Sequence, residues 1–200
     1  MRRITMINVG LFLGAIAALG AGGAVAFGFG GDDDTRGGKA LRAHAYVQGA
    51  PGSEIAGKVT FVQVRSNEDL PTPPVYVRAE VRGLAPGLHG FHLHENGTCQ
   101  PAYTAAGGHY DPGPFGNADP DANHPFHMGD LPNLETNRRG VGRLSAVTTR
   151  VTLSPGPTTL LDTNGSAVIV HLNPDQGVTG PSGSGLSGGP RVACGVIEPD

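Results

Sequence analysis

Positive charge is scarce in this chain: 14 Lys and Arg stand against 17 Asp and Glu over 200 residues, a formal net charge of −3. Nucleic acid is held by concentrated basic surfaces, and no stretch here is basic enough, so that class of partner is excluded. Helical periodicity is missing as well. No window of useful length places apolar residues at helical spacing, no heptad is sustained and no internal repeat occurs, which argues against helical bundles, coiled coils and solenoids. Cysteine is confined to Cys99 and Cys194. Neither lies near the N-terminus, so no thiol there can accept a lipid.

The N-terminal stretch differs in composition from the rest. Met1-Arg2-Arg3 is a short basic head, followed by an apolar run rich in Gly and Ala from about Ile7 to Gly30, then by the polar Gly31-Asp32-Asp33-Asp34-Thr35-Arg36-Gly37-Gly38. This is the pattern of an export signal. The run is long enough to span a bilayer but only weakly hydrophobic, so both cleavage and retention as a membrane anchor stay open. Ala24-Val25-Ala26 suits signal peptidase, with a cut before Phe27. The two arginines do not complete a twin-arginine motif. Residues 1–38 are therefore expected to be signal or anchor plus linker, and 39–200 one domain outside the cytoplasm: periplasmic, extracellular or anchored at the outer face of a membrane. In an oxidising compartment the simplest state of Cys99 and Cys194 is one disulfide, which closes a long loop worth about 4 to 5 kcal/mol. Two free buried thiols are the alternative.

Short extended segments fill the body of the chain: Ala40–Val47, Gly57–Arg65, Val75–Arg82, Gly90–Glu95, Val141–Leu153, Ala167–His171 and Arg191–Ile197. In the third, Val75, Val77, Ala79 and Val81 alternate with Tyr76, Arg78, Glu80 and Arg82, the period of a half-buried strand. The expected fold is all-β, a barrel or sandwich. Two connections exceed any turn, Glu95 to about Leu134 and Leu172 to Pro190, and loops of that length in a compact domain carry function or are disordered.

The first long loop and the strand before it hold most of the histidines. Gly87-Leu88-His89-Gly90-Phe91-His92-Leu93-His94-Glu95 places His92 and His94 on one face of a strand and Leu93 on the other. His109, His124, His127 and Asp130 follow, and His171 comes much later in Val168-Ile169-Val170-His171. Imidazole-rich sets suit copper and zinc, whereas oxygen-only sets suit magnesium or calcium.

Five blocks in order resemble the copper,zinc superoxide dismutase family, its exported bacterial members above all. They are residues 87–97, Gly107-Gly108-His109, His127 with Gly129-Asp130-Leu131-Pro132, Gly165 to His171, and Arg191-Val192-Ala193-Cys194-Gly195-Val196-Ile197. The resemblance spans about Leu41 to Ile197. It implies a Greek-key β-barrel of about eight antiparallel strands with two long functional loops, and the dismutation of superoxide to oxygen and hydrogen peroxide by copper alternating between Cu(II) and Cu(I). By the same resemblance His92, His94, His109 and His171 are copper ligands, His109 bridges to a structural zinc, and His127 and Asp130 are zinc ligands. His109 also carries a proton to the nascent peroxide. Arg191 matches an active-site arginine that steers and holds the anion, and Asp175 matches a carboxylate that orients metal-bound imidazoles. His89 matches a structural histidine; His44 has no motif around it.

The chain departs from the family in one place. The family supplies a further zinc histidine well before the last one, but Gly113 to Asp121 contains none. His124 is the only remaining histidine in the loop and is the expected fourth zinc ligand, reaching the metal on the extended backbone that a residue before proline favours. Lysines found in many relatives are also missing from this loop. The alternative function is an exported copper-binding protein of dismutase type without fast turnover.

Overall fold

The structure, a computed structural model, describes residues 40–64, 73–113 and 116–200. The expected signal or anchor at 1–38 lies outside the described residues. Nine strands follow in order: β1 Leu41–Gly49, β2 Ala56–Gln63, β3 Val75–Arg82, β4 Gly87–His89, β5 Phe91–His94, β6 Leu134–Thr136, β7 Val141–Thr148, β8 Ala167–His171 and β9 Arg191–Pro199. All pairs are antiparallel, in the order β4-β6-β7-β3-β2-β1-β9-β8-β5. The two end strands, β4 and β5, are consecutive in the chain with only Gly90 between them, so the sheet curls into a nearly closed Greek-key barrel.

Gly90 is the seam. Its N–H donates to the Asn173 carbonyl and its carbonyl accepts from His171 N–H, each at 2.8 Å. A Cβ there would sit 3.1 Å from the Ser187 carbonyl oxygen and 3.3 Å from His171 Cβ, so a side chain would push the second long loop away. His89 is buried beside the seam, with Nδ1 2.9 Å from the His171 carbonyl and Nε2 2.9 Å from the Ala85 carbonyl. That is the structural role the resemblance implied.

Alternation builds the core. Val75, Val77, Ala79 and Val81 of β3 point inward with Ala43, Ala45 and Val47 of β1 and Val59 and Phe61 of β2. On β5 and β8 both faces are buried. Phe91, Leu93, Val168 and Val170 enter the core, while the residues between them face outward under the loops. A second small cluster, Ala106, Ala167, Ile169 and Cys194, lies on that outer side with Cys99 and Tyr103 packed against it.

The strand count is nine where about eight were expected. β4 and β6, three residues each, are too short to show alternation, and they exist because β6 pairs with β7 and β4 with β6. The segment expected to run to Leu153 ends at Thr148. Val151, Leu153 and Leu160 are apolar because they plug one end of the core from a third long connection, 149–166. Arg65, the last residue of the second expected strand, lies outside the described residues.

Cys99 and Cys194 form a disulfide with a Cα–Cα distance of 5.8 Å across a sequence separation of 95. It ties the first long loop to β9. Replacing both cysteines by serine is expected to lower unfolding free energy by about 2 to 5 kcal/mol. Denaturant unfolding of the oxidised parent and the double variant measures it; equal midpoints would contradict the expectation.

Candidate metal centre

β5 and β8 supply the first three imidazoles. His92 and His94 leave one face of β5, and His171 ends β8, which pairs with β5 in the register Phe91–Val170, His92–Ile169. The other imidazoles come from the loop, and backbone hydrogen bonds bring them in. β5 is the last strand of the sheet, so its outer edge is open, and the loop adds itself to that edge. Leu93 N–H donates to the Gly129 carbonyl at 2.9 Å, Tyr110 N–H to the Leu93 carbonyl at 2.8 Å, and Gly129 N–H to the Tyr110 carbonyl at 2.8 Å. The resulting bridges pair His94 with His109 and His92 with Asp130.

Two four-residue groups result, each with donor atoms within 4.8 Å of one another: His92, His94, His109 and His171, and His109, His124, His127 and Asp130. His109 belongs to both. Its ring centroid lies 4.2 Å from that of His92 and 5.0 Å from those of His94 and His127. All six imidazoles are buried.

The hydrogen bonds define which nitrogens are free. His94 Nδ1–H donates to the Gly107 carbonyl at 3.1 Å and His171 Nδ1–H to the Gly189 carbonyl at 2.8 Å, while His92 Nε2–H donates to Asp175 Oδ2 at 3.1 Å. Each acceptor has only lone pairs to offer, so the opposite ring nitrogen keeps its own. Those opposite atoms, His92 Nδ1, His94 Nε2 and His171 Nε2, are buried without a partner, as are His109 Nε2 and His127 Nε2. Buried polar atoms without partners are rare and costly. Five among these grouped imidazoles fit a donor set for nitrogen-preferring cations such as copper and zinc.

The two groups differ electrostatically. Burial, reinforced by neighbouring imidazoles, pushes His171 down to about 3, His109 down to about 4 despite Asp130, and His94 well below the usual histidine value. Burial also opposes protonation of His124, but the carboxylates of Asp130 and Asp175 outweigh it and lift His124 to about 9. His127 is raised for the same reason, chiefly by Asp130. Asp130 itself lies far below the carboxylate range: burial works against its charge, and the surrounding histidines more than compensate. Its Oδ1 is 2.7 Å from His109 Nδ1, and its Oδ2 is 2.9 Å from His127 Nδ1 and 3.2 Å from His124 Nδ1.

His124 enters within a turn, whose second residue it is. Phe126 N–H closes the turn on the Asn123 carbonyl at 2.9 Å, the His124–Pro125 peptide is cis and Asn123 has φ 62. His124 Nε2 meets Asp175 Oδ1 at 2.7 Å, so Asp175 joins His92 to His124. Arg191, expected at the site, has its guanidinium on the Tyr103 and Gly107 carbonyls at 2.7 and 2.6 Å. The Gly107 carbonyl therefore holds both Arg191 and His94. His44 lies apart, 2.6 Å from Asp200.

Residues the sequence did not flag support this set. Asn133 Nδ2–H donates to the Asp175 carbonyl and its Oδ1 accepts from Asp175 N–H, at 2.9 and 2.8 Å. Arg150 donates to the carbonyls of His127 and Pro125 at 2.8 and 3.3 Å. The adjacency of Asn133 to the Asp130 block was the only hint in the sequence; Arg150 left none.

A nearly closed antiparallel barrel carrying two donor groups joined by one imidazole defines a binuclear-metal β-barrel protein. Comparison with known proteins agrees. The family profile described as copper/zinc superoxide dismutase (SODC) matches residues 55–197. Similar proteins include the superoxide dismutase [Cu-Zn] of Deinococcus radiodurans, 40% identical over 71% of this chain and 79% of its own length, and that of Caulobacter vibrioides, 36% identical over 78% and 85%. The extracellular superoxide dismutase [Cu-Zn] of Drosophila melanogaster is 35% identical over 78% of this chain and 84% of its own length. The chain belongs to the copper/zinc superoxide dismutase family. Superoxide dismutation with copper and zinc is the activity that membership carries.

Gly108 shows how closely the loop fits. A Cβ there would lie 1.8 Å from the Ala118 carbonyl oxygen, and Gly108 N–H donates to Glu95 Oε1 at 2.8 Å. Gly108→Ala is expected to displace His109, cost about 3 kcal/mol or more and weaken uptake of both metals. Thermal unfolding with metal analysis measures it, and parent-like values in both would contradict the fit.

Proposed function

We propose that this chain dismutes superoxide at a copper held by His92, His94, His109 and His171, beside a zinc held by His109, His124, His127 and Asp130. The observation that supports this best is the shared imidazole of His109 at the meeting of two buried donor groups. Four imidazoles suit copper in both oxidation states, and three imidazoles with one carboxylate make a closed set of four for a structural zinc. Copper held by His92, His94, His109 and His171 would supply one-electron redox chemistry between Cu(II) and Cu(I), by which one superoxide would be oxidised to oxygen and a second, with two protons, reduced to hydrogen peroxide.

The side chains supply the rest. Arg191, immobilised on two carbonyls, presents a cation beside the copper group and attracts the small anion. His109 Nε2 has no hydrogen-bond partner, so the nitrogen that would serve copper could, whenever that ligand bond is open, hold a proton and release it to the product. Asp175 keeps His92 and His124 oriented through their outer nitrogens. Residues 1–38 direct the chain out of the cytoplasm, cleaved or kept as an anchor, and 39–200 act there as the dismutase domain. The disulfide accords with that oxidising location.

Metal analysis with superoxide turnover tests the reading. The parent is expected to hold one copper and one zinc and to turn over. His171→Ala is expected to lose copper and turnover but keep zinc, and His124→Ala to lose zinc preferentially. Copper bound without turnover in the parent would leave a copper-binding protein, and full activity in copper-depleted His171→Ala would overturn the copper assignment.

Protonation separates the two halves. In the metal-free protein at pH 7, His124 carries a proton because its pKa is raised to about 9 from 6.5. That proton stabilises the metal-free fold fully below about 6.5, and the contribution is lost as pH rises through about 9. Zinc must displace it. Zinc affinity is therefore expected to rise about tenfold per pH unit per displaced proton up to that point. Copper affinity should depend on pH less steeply over this range, since His109 and His171 are already neutral, at about 4 and about 3, and His94 is held well below the usual histidine value. Calorimetric titration in two buffers counts the protons; equal release for both metals would refute the assignment.

A further inference from the structure

Asp121 is a carboxylate, only 4% exposed, that nothing above uses. Its Oδ2 accepts from Gly185 N–H at 2.9 Å, its Oδ1 accepts from Ser187 N–H at 3.0 Å and the Ser187 hydroxyl at 2.9 Å, and its backbone carbonyl accepts from Gly180 N–H at 2.9 Å. Every one of these donors belongs to the second long loop. Burial alone would raise the Asp121 pKa, yet the bonds from Gly185 and Ser187 leave it lowered, so the carboxylate stays charged inside the loop. On its own side of the contact, Asp119 Oδ1 accepts from the N–H groups of Asp121 and Ala122 at 3.0 and 3.2 Å and holds the start of the turn that carries His124.

Both ends of this contact lead to an imidazole. Ser187 runs directly into Gly188 and Gly189. A Cβ on Gly188 would sit 2.7 Å from His171 Cβ, and the Gly189 carbonyl accepts from His171 Nδ1–H at 2.8 Å. In the other direction the Thr179 hydroxyl donates to the His124 carbonyl at 2.5 Å, one residue before the Gly180 that Asp121 holds. Asp121 thus sits where displacement of the second loop would move the carbonyl that selects the His171 tautomer, and would loosen the turn bearing His124.

We propose that Asp121 is a positioning residue that latches the second long loop to the metal loop, and through Ser187–Gly189 and Thr179–Gly180 sets the orientation of His171 and His124 together. This rests on the reading of those two histidines as ligands of copper and zinc. The latch couples the two metals' sites from behind, without touching either donor atom. It is separate from Asp175, which joins His92 to His124 directly.

The test reads the metal-free protein first, by amide hydrogen exchange and NMR of the imidazole N–H protons, with Asp121→Ala and Asp121→Asn. Asparagine keeps one acceptor for Ser187 but turns an N–H₂ toward Gly185 N–H. In Asp121→Ala, exchange at Gly185 and Ser187 is expected to quicken about tenfold and the His171 Nδ1–H signal to shift or vanish, while barrel amides such as Val77 hold. Asp121→Asn should protect Ser187 but not Gly185, which a general loss of packing would not produce. If the alanine variant does not fold, the asparagine variant decides alone. Unchanged exchange at both loop amides, or an unchanged His171 ring signal, overturns the latch. Zinc and copper titrations of the same variants should show both affinities weakened together, and quickened exchange with both affinities intact would overturn the positioning role. Copper binding by His171→Ala equal to the parent's would instead defeat the ligand reading and leave the exchange result standing.

Discussion

The site depends on the open edge of β5. A strand at the end of a sheet has unpaired N–H and carbonyl groups on one side, and here the loop from Gly108 to Asp130 satisfies them in place of another strand. Backbone bonds of 2.8 to 2.9 Å at Leu93, Tyr110 and Gly129 set the loop's register, and the register sets which side chains meet. His109 comes to lie against His94, and Asp130 against His92. Glycine at 108 and 129 follows from the same closeness, since a Cβ at 129 would lie 2.4 Å from the Leu93 carbonyl oxygen. The barrel core and the centre are therefore opposite faces of one strand.

On that outer face the same burial has two results. At His94 and His171, which no carboxylate touches, desolvation keeps the rings neutral and leaves their lone pairs free. Where Asp130 and Asp175 enter, their charge overcomes desolvation and draws protons to His124 and His127. That half is already balanced by charge before any ion arrives. His109 sits between these regimes, desolvated on one side and bonded to a carboxylate on the other.

Carbonyls held by the rest of the fold orient the rings. Gly107 serves His94 and Arg191 together, and the disulfide and the 3-10 turn at Tyr103–Ala106 keep the segment before it against β9. Gly189 serves His171 from the second long loop. Arg191 and the ring of His94 thus share one support, to which the disulfide contributes by fastening that segment to β9.

Local pattern carried a large part of this. Alternation in Val75–Arg82 gave that strand its bounds, the spacing of His92 and His94 placed both on one face, and the count and setting of Cys99 and Cys194 pointed to their bridge. Each of these is a relation among neighbours or within a tiny set of candidates, so period and chemistry suffice. His124 was reached by elimination, but the turn that delivers it was not legible. β4 and β6 could not be read either, because three residues carry no period and become strands only by pairing, β4 with β6 and β6 also with β7. Asn133, Arg150 and Asp121 look like ordinary polar loop residues in the sequence. Their roles arise when chain segments far apart close on one another, leaving backbone groups that only a nearby amide, guanidinium or carboxylate can satisfy. The sequence by itself determined the barrel and which side chains could serve as ligands; the tertiary structure alone decided what holds those side chains still, since that depends on contacts between residues that no local spacing relates.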